Sequence, residues 1–233
     1  MENINKIRII SIWVFIVTLA SLNLCLFISV NYHLLEGTIF TVDQIGRSAF
    51  TIPYVDGSVS ISRTARTFPA YLIFKPGMLI TSILLIQYWR ANNKLIQTIN
   101  NDFNKNKYFL FFGVASAVCL IIHSLLLGIK FDIDLYKFFR RFVLLAFIIF
   151  ELIAQAMLIN SIIKVKNKIS EMINKKILII KILVVSVLIV VGILSLPILT
   201  TSGHVHFKHA LEWNYFMGVI VFYLLTFLFW KKV

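Results

Sequence analysis

A few ionisable side chains held inside long apolar runs could do chemistry in this chain. His123 and Glu151 have the types of a general base and its acid or charge partner, and Lys75 could hold a phosphate. His204-x-His206-x-x-His209, followed by Glu212, offers ligand types for zinc. His204 and His206 share a side only in extended backbone, and His206 and His209 only on a helix. One zinc site therefore needs a strand-to-helix turn. Otherwise these histidines serve as hydrogen-bonding groups, or titrate near pH 6–7, beside lipid headgroups. A zinc ion there would favour a hydrolase, because the metal supplies hydroxide; the base expectation is no cofactor. Ser58, Ser60 and Ser62 alternate with apolar residues and read as hydroxyls that satisfy backbone groups rather than as nucleophiles. Gly-x-Ser-x-Gly, His-Glu-x-x-His, Gly-x-Gly-x-x-Gly and P-loop patterns are absent.

The elements that must position these residues follow from composition. Of 233 residues, 59% are apolar and 14% charged, with a mean hydropathy of +0.88. That excludes a water-soluble globule, which carries about a quarter of charged residues. The net charge of +13 is broken up by apolar runs, so it points to anionic lipid headgroups and not to nucleic acid.

A bilayer core takes roughly 20 apolar residues of helix. Six segments qualify: Ile9–Val30, Pro69–Trp89, Tyr108–Ile129, Phe142–Ile163, Lys176–Leu199 and Trp213–Trp230. The expected fold is all-α, one integral membrane domain of six transmembrane helices with a long first outer loop. The first run follows Lys6 and Arg8 as a secretory signal would, but its length and the lack of a small-x-small site make it an anchor. With the N-terminus inside, the inner segments carry 13 Lys and Arg against eight in the outer loops, which places both termini in the cytoplasm. Lys130, Lys137, Arg140 and Arg141 in one outer loop run against that bias. Lys231-Lys232 near the end reads as stop-transfer charge, and Cys25 and Cys119, inside spans at different depths, are not expected to pair.

By helix rise, His123 and Lys75 lie roughly 9 Å deep, Asn23 roughly 10 Å and Glu151 roughly 13 Å, with Gln155 one turn below it. One polar cluster in the outer half is therefore permitted. Its chemical reading is a lipid site; its plain reading is a snorkelling lysine, a packing histidine and a carboxylate paired to allow burial. Lys181, near the inner boundary, is expected to snorkel. Pro76-Gly77 is expected to bend or open the second helix, because the proline leaves the Leu72 carbonyl without its donor. The loop from Lys164 to Lys176 interleaves lysines with apolar residues, suited to anionic inner-leaflet headgroups and equally produced by topology alone.

The connection from Asn31 to Phe68 is the one long loop. Its end, Gly57-Ser58-Val59-Ser60-Ile61-Ser62-Arg63-Thr64, predicts a short extended segment at the membrane surface, followed by Pro69 in the first turn of a helix. Ser60-Ile61-Ser62, then Pro69 and Ile73-Phe74, resembles the Ser-Ile-Ser … Pro … Ile/Val-Phe signature of the Frag/DRAM/Sfk superfamily of six-span proteins. Glu212-Trp213, Phe222-Tyr223 and Thr226-Phe227 resemble that family's ending. A histidine found in many members before the fourth span is replaced here by Asp132, Asp134 and Lys137. The resemblance implies lipid-related membrane organisation, with relatives that modulate autophagy, organise a lipid-kinase complex or remodel GPI-anchor lipids.

The leading expectation is a non-enzymatic protein that binds lipid or an integral membrane partner through Asn23, Ser60, Ser62, Arg63, Lys75, Glu212 and Trp213. The alternative is a lipid acyl hydrolase or transferase using His123 and Glu151. A third, an ion-coupled transporter, has only Glu151, Gln155 and Asn160 to extend a polar path inward.

Overall fold

A computed structural model describes residues 2–35, 38–39, 51–99, 108–129 and 134–231. Six helices in it are long and apolar enough to cross a membrane: α1 (Glu2–Val30), α4 (Tyr71–Ile99), α5 (Tyr108–Leu126), α6 (Asp134–Val165), α7 (Lys175–Thr200) and α8 (Val205–Phe229). Two short helices, α2 (Pro53–Asp56) and α3 (Ile61–Ala65), lie in the first long connection. The chain is thus an all-α, multi-pass membrane bundle, in which the start of α1 meets the end of α8 through Arg8 on the Phe227 carbonyl at 3.4 Å. Arg47, Lys105, Lys107, Lys130 and Lys232, which enter the orientation argument, lie outside the described residues.

Most of the helices outrun the hydropathy segments, although α5 ends at Leu126, short of Ile129. α1 starts seven residues before Ile9, α4 runs ten past Trp89, and α8 starts eight before Trp213. Hydropathy marks only the part that lipid would cover, whereas helical hydrogen bonding continues into polar sequence.

Small residues bring the helices close. Without a hydrophobic driving force between helices in lipid, association rests on close packing, and small side chains permit it. On α1, Val14, Thr18, Ser21, Leu22 and Cys25 are buried at helical spacing. Thr18 and Thr81 of α4 share a hydrogen bond of 3.0 Å, and Gly77 sits so tightly on Ser21 that a Cβ would collide with it. α4 continues as helix through Pro76 and is not opened there. Gly113 of α5 lies in the same way under the Trp89 ring. α7 packs mainly on α8 and leaves Ile179, Leu183, Val190, Ile193 and Leu194 exposed, a face suited to lipid. Both cysteines are free.

Candidate functional site: an apolar cavity beneath a docked loop

The 53–65 segment is built from local signals and then pinned to α8. Pro53 opens α2, Gly57 ends it in the left-handed region at φ 58°, and Ser60 caps α3 by accepting from the Arg63 N–H. The extended segment expected over Gly57–Thr64 thus gives way to helix at Ile61, where Ser60 caps the start and Ser62 lies in the first turn. Asp56 holds the turn through the N–H groups of Ile52 (3.0 Å) and Ser58 (2.8 Å). Asp56 is exposed; slight desolvation works against its ionisation, but these bonds and nearby His206 outweigh it and hold the carboxyl below its ordinary value.

Glu212 of α8 accepts from the N–H groups of Ile61 and Ser62, the first turn of α3. With Ser60 on Arg63, three donors that a helix start leaves unpaired are satisfied. Trp213 donates its indole N–H to the Val59 carbonyl at 2.9 Å and meets Tyr54 edge-on at 5.0 Å. Asn214 donates to the Tyr54 carbonyl at 2.6 Å, and His209 Nδ1 lies 3.0 Å from the Gly57 carbonyl. Burial pushes the Tyr54 phenol up, against the lowering effect of its bond to Asn23. Desolvation, then the charges of Arg140 and Arg63, hold Arg66 below its ordinary value.

Below this loop lies a cavity of about 680 Å³, between α5, α6, α7 and α8 and reaching Leu22 and Met78. Its depth is hydrocarbon, with Leu152, Ile153, Ala156, Met157 and Val219 among the walls. Polar side chains gather toward the loop end: Ser62, His123, Lys208, Glu212 and Tyr215. A volume in the range of ligand pockets, apolar walls and a few polar groups at one end suit an amphiphile.

A second polar region is sealed from the cavity. Glu151, 1% exposed, accepts from Ser116 (2.6 Å), Gln155 (3.1 Å) and the Tyr223 hydroxyl, with the Trp89 indole beside it. Lys181 is fully buried. It donates to Thr226 at 2.8 Å and lies 4.0 Å over the Phe222 ring, and Tyr88 bonds the same Thr226 hydroxyl at 3.1 Å. Lys181 thus does not snorkel: an oxygen and two aromatic faces hold it inside the bundle.

The four residues expected in one cluster occupy four settings. Glu151 sits in the sealed network. His123, 5% exposed, is in the cavity wall. Lys75 reaches the Leu125 carbonyl at 3.4 Å and the Tyr71 ring. Asn23 donates to Leu19 and accepts from Tyr54. His204 sits in the left-handed region before α8, His206 is exposed, and His209 is turned to Gly57. Among the described residues no three His, Cys, Asp or Glu converge on a metal-holding point. Ser116 and Tyr88 carry no signal as site residues in the sequence, because small hydroxyls and aromatics inside apolar runs look like packing; Tyr223 and Thr226 stand out only within the family-like ending.

Comparison with known proteins finds no matching family model, curated protein or solved structure.

Proposed function

We propose that this multi-pass membrane protein binds a lipid, with an acyl chain in the cavity and its polar end beneath the docked loop, and that it does so without catalysis, as a Frag/DRAM/Sfk-type protein of membrane organisation. The cavity carries the reading: hydrocarbon walls in its depth and Ser62, His123, Lys208 and Glu212 at one end match the two halves of an amphiphile. Two further points support it. Ser60-Ile61-Ser62 and Glu212-Trp213, two of the stretches that resemble the superfamily, come together, with Glu212 on the N–H groups of Ile61 and Ser62 and Trp213 on the Val59 carbonyl. The oxygens of Glu151 are held by Ser116, Tyr223 and Gln155, a packing arrangement that needs no reaction.

The test is lipid retention through purification. Ala156 lines the cavity, and Ala156→Trp fills it. Mass spectrometry of wild type should show a co-purifying lipid that the variant retains at a fifth or less, with an unchanged melting temperature. Equal retention would overturn the reading. Time-dependent deacylated or transferred products that vanish in His123→Ala would instead make the cavity that of a lipid acyl hydrolase or transferase.

A further inference from the structure

Arginines gather where the docked loop meets the start of α6. Thr64 and Ala65 are buried beside α1, where Ser29 donates to the Thr64 carbonyl at 3.1 Å, and Arg63 and Arg66 on either side of them are exposed. The Arg66 backbone reaches the connection that follows α5: a Cβ on Gly128 would lie 3.4 Å from its carbonyl oxygen. Tyr136, in the first turn of α6, donates to the Leu126 carbonyl at the end of α5 at 2.7 Å. Arg140 stands one turn further along α6. These contacts bring Arg63, Arg66 and Arg140 to one place, where the charges of Arg140 and Arg63 both act on Arg66 and, among the described residues, no carboxylate offsets them.

The cluster adjoins the loop end of the cavity. Leu144 and Leu145 line that cavity, and Arg140 and Arg141 precede them by four residues, one helical turn outward on the same sides of α6. Ser62, next to Arg63, lines it from α3. Insertion topology does not account for this charge, since Arg140 and Arg141 belong to the connection whose basic residues run against the bias along the chain.

We infer that Arg63, Arg66 and Arg140 hold the phosphate of an anionic phospholipid whose acyl chain lies in the cavity. The inference rests on the lipid-cavity reading above and adds the class of headgroup. Guanidinium forks match phosphate oxygens in pairs. A headgroup with no cation of its own leaves its negative charge to the arginines, whereas choline would bring one more cation among them.

The experiment measures binding of dioleoylphosphatidic acid and dioleoylphosphatidylcholine, equal in their chains, to the full-length protein in neutral detergent by displacement of a fluorescent phospholipid. Wild type should prefer phosphatidic acid roughly 10-fold or more, the worth of charge-assisted hydrogen bonds, and less so at high salt. Arg66→Gln combined with Arg140→Gln should cut the preference below about 3-fold. Arg90→Gln combined with Lys94→Gln removes as much charge from exposed positions toward the far end of α4 and should keep it. Equal binding of both lipids by wild type, a preference that survives the arginine pair, or one lost equally with the α4 pair overturns the arginine site while the cavity reading stands. Binding of neither lipid overturns both. Glycerol 3-phosphate, a phosphate without chains, should bind at least about 100-fold more weakly, because it buries no hydrocarbon. Binding as tight as the lipid's would assign the arginines to a soluble phosphate and overturn the lipid source.

Discussion

Trp213 on α8 donates its indole N–H to the Val59 carbonyl at 2.9 Å across 154 positions of chain. Both residues are buried, so removing the donor leaves a carbonyl unpaired. Trp213→Phe, which keeps most of the ring contact with Tyr54, should cost about 1–3 kcal/mol. Hydrogen exchange should locate the loss in residues 53–65 and at the start of α8, with α1 and α4 unchanged; uniform loss would disprove a local latch.

Gly57 tests the same latch from the other side. Its φ of 58° is strained for an L side chain, and a Cβ there would run into the backbone of His206, which has no rotamer by which to yield. Gly57→Ala should therefore cost more than about 1 kcal/mol and expose the 53–65 segment to limited proteolysis. Gly203, also at positive φ but with open space around its Cβ, is the control: Gly203→Ala should leave the loop protected.

Asp56 makes the latch pH-sensitive. Its folded pKa lies below the ordinary carboxylate value of 3.8. Its contribution is thus fully present above that ordinary value and is lost as pH falls through the lower folded one. Exchange protection of Val55–Ser58 at pH 6 should decline on acidification below about 4, and Asp56→Asn should flatten that dependence.

Glu151 anchors three donors at once. Glu151→Leu leaves the Ser116, Tyr223 and Gln155 donors facing hydrocarbon, and should lower stability by about 2 kcal/mol or more in detergent unfolding. Glu151→Gln retains an acceptor and should lose about 1 kcal/mol. If both behave alike, the network does not hold the bundle together.

Lys181 sits between an oxygen and two rings, and among the described residues no carboxylate bonds it. Lys181→Met keeps the length and removes the charge from the interior, so the melting temperature should stay level or rise. A drop comparable with that of Glu151→Leu would show that the ammonium is required.

Much of this was legible in the residue order. Runs of about 20 apolar residues dictate spanning helices, because a bilayer offers no other partner for backbone amides; six such runs dictate termini at one end. The turns around 53–62 rest on equally local effects of Pro53, Gly57 and Ser60 on φ and on unpaired N–H groups, but the alternation of serine with valine and isoleucine reads there as an extended segment instead. Partners could not be read in the same way. A helix sets depth along the membrane but leaves each side chain's direction to its neighbours, so residues at one depth, His123 and Lys75, point to different places. Only the packing of α5 and α6 against α8 decides that Glu151 meets Tyr223 and Ser116 and not His123. Only the docking of α3 on α8 turns Glu212 and Trp213 into a clasp.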